Sequence, residues 1–282
     1  MSDRPRILLT NDDGIDAPGI RALYDSLSEI GEVRVLAPAE NQSAVGRSLT
    51  YGRTANDRGD ISLGFADEAF AVPVPHEEHE LGYAIDGTPC DCVIVGLHAF
   101  DPAPDVVVSG CNPGANLGAY VLSRSGTASA AMEAAFLGTP AVAVSMDKLG
   151  YRGELTVDSF EEPATLAADL LEYAIDRDVF SSVDYLNVNA PRPDVAAEGL
   201  ELTRPSEVYE MDANFENGAF SLHNRLWEQM AGDSIPDEPG TDRRAIKEGR
   251  ISLSPLEAPY RPTSHEALER FVDEYDGAVD RY

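Results

Sequence analysis

Lysine is nearly absent from this chain. Only Lys148 and Lys247 among its 21 basic residues are lysine, while Asp and Glu total 50, so the formal charge is −29. Such an acidic surface repels nucleic-acid phosphates and anionic lipids, and we expect neither a nucleic-acid polymer nor a membrane as a partner. Molar salt shortens the Debye length to about 3 Å and screens repulsion between carboxylates. The charge therefore predicts a halophilic source.

Cysteine and long apolar runs are also scarce. Cys90, Cys92 and Cys111 are too few and too close together for the disulfide framework of a secreted protein, and the Cys-x-Cys pair lacks a second pair for a zinc site. We expect all three to be buried in apolar surroundings. The chain has no run of 18 apolar residues and no signal-peptide pattern at residues 1–10. These absences predict a cytoplasmic protein.

Two glycine-rich nucleotide-binding patterns, GxxxxGK[ST] and GxGxxG, are missing, which disfavours a P-loop NTPase and a dinucleotide-binding Rossmann enzyme. Instead, short apolar runs alternate with helical patterns over about two thirds of the chain. This alternation is typical of an α/β fold in which a mostly parallel sheet carries helices on both faces. The predicted strands cover residues 7–10, 33–37, 106–109, 141–145 and 185–189, and the predicted helices cover residues 18–30, 88–98, 126–138 and 162–176.

Two segments depart from the alternation. Residues 55–81 are rich in Asp and Glu, and we expect a solvated excursion there. His76 and His79 would share one face of a helix and could grip a metal, but the neighbouring prolines favour a surface histidine pair. The alternation ends near residue 200, which predicts an α/β core of residues 1–205. Residues 206–282 are predicted to form a β-rich extension with a helix near residues 264–276, used for oligomerisation.

Residues 6–16, RILLTNDDGID, are the most informative stretch. An apolar run ends at Asp12 and Asp13, and Gly14 follows at once. In α/β sheets ligands bind at the carboxyl ends of the strands. Two adjacent carboxylates repel one another without a cation, and their hard oxygens suit Mg²⁺ or Mn²⁺. An Asp-Asp-Gly turn that merely caps a helix is the commoner use of this tripeptide, so the motif alone leaves both interpretations open.

Three polar loops are predicted at the same edge of the sheet. They carry small polar residues and glycines: Asn41, Ser43 and Ser48; Ser109, Gly110, Asn112 and Asn116; and Ser125, Gly126 and Thr127 at a predicted helix start. A helix start offers backbone N–H groups to an anion, although N-capping alone would explain the last group. A metal site beside an anion site suits metal-assisted hydrolysis of a phosphate ester. We expect the phosphate to contact Asn11, Ser109, Gly110, Asn116, Ser125, Gly126 and Thr127.

Seven segments between Ile7 and Leu256 resemble, in order, the characteristic blocks of the SurE family of survival-protein nucleotidases. They are ILLTNDDGIDAPGI, LAPAENQSAVGRSLT, DGTPCDCV, PDVVVSGCNPGANLG, SGTASAA, LNVNAP and TDRRAIKEGRISLSPL. The resemblance implies a Rossmann-like three-layer α/β/α core and a carboxyl-terminal part that forms a homodimer or homotetramer. It also implies a metal-dependent 5′/3′-nucleotidase that removes phosphate from nucleoside monophosphates.

The resemblance further implies which residues act. One divalent cation per subunit, Mg²⁺ or Mn²⁺, would be held by Asp12, Asp13, Ser43 and Asn112, with Asp12, Asp13 and Asn112 catalytic and Ser125, Gly126 and Thr127 on the phosphate side. Two departures from the family bear on substrate choice. Arg124 replaces an aromatic residue or histidine before Ser-Gly-Thr, and the excursion at 55–81 is longer and more acidic than the family pattern.

Two other functions remain open. In a metal-dependent nucleotide-sugar transferase, an aspartate pair after a strand also holds a divalent ion against a diphosphate. In a non-catalytic nucleotide-binding protein, the pair would be only a turn. A serine or cysteine nucleophile with a histidine base is not recognisable among the five scattered histidines.

The charge generates the first prediction. We expect the melting temperature of the full-length chain to rise between dilute buffer and molar KCl, because screening removes repulsion among the carboxylates. Thermal denaturation followed by circular dichroism measures it. A melting temperature that does not increase with KCl would contradict adaptation to salt.

Overall fold

The computed structural model describes residues 4–50, 72–232, 235–258 and 266–274. The described strands are β1 (Arg6–Thr10), β2 (Glu32–Pro38), β3 (His76–His79), β4 (Gly82–Ile85), β5 (Val106–Pro113), β6 (Ala141–Met146), β7 (Tyr185–Ala190), β8 (Leu200–Leu202), β9 (Met211–Glu216), β10 (Ala219–Asn224) and β11 (Ile251–Leu256). The described helices are α1 (Pro18–Ile30), α2 (Pro89–His98), α3 (Ala119–Leu122), α4 (Gly126–Phe136), α5 (Glu161–Asp176), α6 (Arg225–Ala231), α7 (Asp242–Lys247) and α8 (Glu266–Glu274).

Nine of these strands form one sheet in the order β3-β4-β2-β1-β5-β6-β7-β11-β8. The six strands from β4 to β7 are mutually parallel. β3 and β11 are antiparallel to their neighbours β4 and β7, and β8 is parallel to β11. The central strands β1 and β5 therefore end at the same edge of the sheet.

Helices cover both faces of the sheet because the buried strands are apolar on both sides. Ile7 and Leu9 of β1 pack into one core with α1 and α5. Leu8, which points to the opposite face, packs into a second core with α2 and α4. This arrangement confirms the predicted three-layer α/β/α fold, and every predicted strand and helix of the α/β part is present. β5 continues four residues beyond its predicted end, to Pro113.

Part of the predicted excursion is ordered as an edge strand. Residues 76–79 form β3 and pair with β4, so the prediction of a loop was wrong for them, whereas residues 76–78 are exposed as predicted. The run HEEH has no apolar alternation, and an edge strand with charged side chains needs none. Residues 55–71 lie outside the described residues. His79 Nε2 lies 3.1 Å from Oδ1 of Asp16, and His76 contacts the ring of Tyr83.

The three cysteines are free thiols and are buried, as predicted. None of the described helices is both long enough and apolar enough to cross a membrane.

The predicted extension, residues 206–282, contributes β11 to the main sheet and returns to the core at α7. Asp242, the first residue of α7, accepts hydrogen bonds from the backbone N–H groups of Gly118 at 2.7 Å and Ser206 at 2.9 Å. Arg243 and Asp237 form a buried ion pair with a 2.9 Å N–O distance. Asp242 thus ties the start of α7 to Gly118 in the loop that follows β5.

The hairpin of β9 and β10 lies outside this sheet. Phe215 and Phe220 are paired across it with ring centroids 4.6 Å apart, yet they are 62% and 82% exposed, and Leu222 is 76% exposed. Adjacent apolar side chains this exposed are typical of an interaction surface. The hairpin is therefore our candidate for the contact with a second subunit.

We expect the double substitution Phe220→Ser and Leu222→Ser to lower the mass per particle in molar KCl, because it removes apolar area from that contact. Light scattering at micromolar concentration measures the mass. Tyr173→Ser, which also removes an exposed apolar side chain but from α5, is the matched control. A monomeric full-length chain, or a double variant that keeps the mass of the full-length oligomer, would refute this role of the hairpin.

Candidate active site

The turn after β1 presents the two aspartates at the carboxyl edge of the sheet. The side-chain amide of Asn11 donates to the carbonyl of Gly14 at 2.7 Å, and its Oδ1 accepts from the Gly14 N–H at 3.3 Å. Gly14 has φ +103°, in the region that favours glycine. Asn11, predicted as a phosphate contact, thus closes the turn that carries Asp12 and Asp13.

Asp12 is buried against the start of α4. Its Oδ1 accepts a 2.6 Å hydrogen bond from the Thr127 hydroxyl, and the backbone N–H groups of Gly126 and Thr127 lie where they favour the charged form of the carboxylate. A Cβ added to Gly126 would lie 2.6 Å from Cβ of Asp12, so glycine is required for this approach. Burial raises the pKa of Asp12, and the hydrogen bonds from α4 oppose that rise. The Asp12 carboxylate therefore lies at this helix start, and contact of Gly126 and Thr127 with phosphate stays a prediction.

Asp13 faces a different environment. Burial, reinforced by the charge of Asp12, raises the pKa of Asp13 to about 7, while Lys148 acts in the opposite direction. Its Oδ2 is buried and has no hydrogen-bond partner among the described residues. Its Oδ1 receives only a long contact, 3.4 Å, from the amide nitrogen of Asn41. Asp13 thus directs an unsatisfied oxygen into the site.

The loop that follows β2 lies over this turn. The Gln42 N–H donates to the backbone carbonyl of Asp12 at 2.6 Å, and the Gly46 N–H donates to the carbonyl of Arg124 at 3.2 Å. Ser43 lies between these anchors, and its N–H donates to Asn41 Oδ1 at 2.8 Å. Within the described part of the chain, no hydrogen bond joins the exposed Ser43 hydroxyl to either aspartate. The loop brings Ser43 beside the pair without fixing its hydroxyl.

Asn112 lies at the end of β5, the strand next to β1. The pairing of β5 with β6 is irregular between Ser109 and Asn112. Burial raises the pKa of the intervening Cys111 thiol, and the charge of Asp13 adds to that rise. The Asn112 amide nitrogen donates to the Gly114 carbonyl at 2.5 Å, which leaves its Oδ1 as the end able to bind a cation. The structure therefore brings Asn112 to the same edge as Asp13.

The remaining predicted phosphate contacts lie deeper in the scaffold. The amide nitrogen of Asn116 donates to Oγ of Ser145 at 2.8 Å, and the Asn116 N–H donates to Oδ1 of Asn189 at 2.7 Å. Oγ of Ser109 is buried without a partner among the described residues. The Ser125 hydroxyl caps α4 by accepting from the Ala128 N–H at 3.0 Å. Contact of these residues with phosphate stays a prediction.

Sequence reasoning missed two sets of polar residues around the site. Asn187 and Asn189 on β7 hold the loop after β5, and their signal was the alternation of Asn in the apolar run LNVNA. Lys148 follows β6 at the carboxyl edge, and its signal was that one of only two lysines follows a predicted strand. No group of three or more His, Cys, Asp or Glu in the described ranges is placed to bind a metal.

Comparison with known proteins extends these observations. A family model described as survival protein SurE matches residues 7–212. The chain is 48% identical to 5′-nucleotidase SurE of Haloarcula marismortui over 97% of this chain and 96% of the relative. It is 50% identical to the protein of the same name from Natronomonas pharaonis, over 95% and 99%. These halophilic relatives confirm the source predicted from the charge.

A solved structure agrees with the fold. The crystal structure of the SurE protein from Aquifex aeolicus matches with a TM-score of 0.72 and 29% identity, covering 96% of this chain and 100% of that chain. The matched region of the family model runs from β1 through the loops after β2 and β5 to α4 and beyond. The chain therefore belongs to the SurE family of survival proteins.

Proposed function

We propose that this chain is a metal-dependent 5′/3′-nucleotidase, which hydrolyses nucleoside monophosphates to nucleoside and phosphate. The observation that carries the proposal is the aspartate pair, with Asp12 held against a helix start and Asp13 directing an unpartnered oxygen into the site. Relatives named 5′-nucleotidase SurE, at 48% and 50% identity, support it. We further propose that the protein acts as a cytoplasmic homodimer or homotetramer.

The residues present fit one divalent cation, Mg²⁺ or Mn²⁺, per subunit. The candidate ligands are all oxygens, as these hard cations prefer: Asp12, Asp13, Ser43 and Asn112. A buried carboxylate oxygen without a partner is costly, and a bound cation would remove the cost at Asp13. When bound, such a cation neutralises phosphoryl oxygens and lowers the pKa of a coordinated water.

The chain's own residues orient the aspartates. Thr127 and the N–H groups at the start of α4 favour the charged form of Asp12. The Asn11–Gly14 turn fixes both carboxylates relative to β1. The loop after β5 would bring Asn112 to the phosphoryl group together with Ser109, Gly110 and Asn116. Positioning and charge stabilisation of this kind supply most of the catalysis in phosphoryl transfer.

We expect Asp12→Asn and Asp13→Asn each to abolish phosphate release, because each removes one charge that a divalent cation requires. Phosphate release from nucleoside 5′- and 3′-monophosphates measures it, in molar KCl with Mg²⁺ or Mn²⁺. Chelation should abolish wild-type release reversibly. Asp16→Asn, an exposed carboxylate close by in the sequence, is the matched control and should retain activity.

Three results would contradict the proposal. An Asp12 or Asp13 variant with near wild-type release would remove the pair from catalysis. Consumption of a nucleotide sugar only when an acceptor is present would favour a transferase. Heat protection by metal without release from any monophosphate would favour a non-catalytic nucleotide-binding protein.

Thr127→Val should lower kcat/KM by roughly ten- to a hundredfold, the scale of one charge-assisted hydrogen bond, because Asp12 loses the donor that orients it. Steady-state kinetics with increasing Mn²⁺ measures the loss, and high Mn²⁺ should restore part of it. Thr127→Ser, which keeps the hydroxyl, should retain most activity. If Thr127→Val changes only the melting temperature, Thr127 is a structural residue of α4.

A further inference from the structure

Lys148 lies beside the candidate site on a segment that is fixed to two strands. The Gly114 N–H donates to the carbonyl of Met146, the last residue of β6, at 2.8 Å. The Asp147 N–H donates to the carbonyl of Ala190, the last residue of β7, also at 2.8 Å. Lys148 is the next residue, so its backbone is placed at the carboxyl edge of the sheet.

The backbone after Lys148 is held as well. The Leu149 N–H donates to Oδ1 of Asp147 at 3.0 Å, and Arg192 Nη1 donates to the Leu149 carbonyl at 3.1 Å. The side chain of Lys148 is exposed and runs along the loop after β5. A Cβ added to Gly114 would lie 4.0 Å from Cε of Lys148 and 3.6 Å from the amide nitrogen of Asn112. The long side chain of Lys148 thus extends from a hydrogen-bonded backbone and lies near Asn112.

The charges of the site favour a further positive group such as the Lys148 ammonium. A divalent cation would balance Asp12 and Asp13, and a phosphate monoester would then add about 1.5 to 2 negative charges at pH 7. The start of α4, which would otherwise attract an anion, already faces Asp12. A further positive group would therefore stabilise a bound phosphate.

The arginines near the site are engaged elsewhere. Arg47 donates to Oε2 of Glu133 at 2.8 Å and 2.9 Å. Arg124 lies over the ring of Tyr120, 3.5 Å from its centroid, and donates to the Tyr120 carbonyl. By contrast, no hydrogen bond or ion pair within the described ranges holds the Lys148 ammonium, although it acts electrostatically on Asp13.

We propose that Lys148 is a phosphate-binding residue, whose ammonium group binds an oxygen of the substrate's phosphoryl group beside Asn112. The proposal rests on the proposed function for the identity of the substrate. Loss of the ammonium group should weaken the binding of phosphate.

The test compares full-length wild type, Lys148→Met and Lys148→Arg in molar KCl. Calorimetry measures the affinity of the Mn²⁺-loaded protein for inorganic phosphate, at a Mn²⁺ concentration that saturates each variant, and kinetics gives KM and kcat. Lys148→Met should weaken phosphate binding and raise KM by about tenfold or more, the scale of a lost charge-assisted hydrogen bond. Lys148→Arg should stay close to wild type.

Arg152→Gln is the matched control, because it removes one exposed positive charge four residues further along. At 1 M salt the Debye length is about 3 Å, so a distant charge is screened while a direct contact persists. Arg152→Gln should therefore change phosphate affinity less than twofold.

The inference is overturned if Lys148→Met leaves phosphate affinity within twofold of wild type, if Arg152→Gln causes an equal loss, or if Lys148→Arg loses as much phosphate affinity as Lys148→Met. Phosphate binding does not require turnover, which separates the two proposals. If the wild type hydrolyses no monophosphate but Lys148→Met binds phosphate more weakly, the nucleotidase proposal is rejected and the phosphate-binding role of Lys148 stands. If the wild type hydrolyses monophosphates and Lys148→Met binds phosphate as tightly as the wild type, the nucleotidase proposal stands and the role of Lys148 is rejected.

Discussion

The site depends on one buried charge, the carboxylate of Asp12 at the start of α4. A buried carboxylate stays ionised only if donors replace the water that it has lost. Here the Thr127 hydroxyl donates to Asp12, and the backbone N–H groups at the positive end of the helix dipole also oppose the rise that burial causes in the pKa of Asp12. This contact requires glycine at 126, and it fixes the distance between β1 and α4. Asp13 then directs into the site a carboxylate oxygen that has no hydrogen-bond partner among the described residues.

The parallel sheet brings Asp12 and the start of α4 together although they are far apart in the sequence. Because β1 lies beside β5 with both strands ending at one edge, the aspartate turn meets the loops that follow β5 and β6. The carboxyl-terminal part of the chain supports the same edge. β11 extends the sheet next to β7, and Asp242 holds the backbone of Gly118 just before α3. The segment predicted as an oligomerisation arm therefore also supports the site.

The elements were predictable where a local pattern determines them, as in the apolar run of β1 and the amphipathic face of α1. The aspartate pair was predictable for the same reason, since both carboxylates follow a strand end. Strand β3 was not predictable, because the polar run HEEH has no apolar alternation and forms a strand only by pairing with β4. The contact between Asp12 and the start of α4 was also missed, because only the folded chain brings Asp12 to Ser-Gly-Thr across 115 residues.

The central claim is that Asp12 and Asp13 together bind a divalent cation on which phosphate-ester hydrolysis depends. The most direct measurement is anomalous diffraction from crystals of the full-length protein grown in Mn²⁺. The account predicts one Mn²⁺ peak per subunit, bound by carboxylate oxygens of both Asp12 and Asp13, and no such peak in Asp13→Asn crystals. A Mn²⁺ peak bound elsewhere, or none at the pair under conditions in which the protein is active, would contradict it.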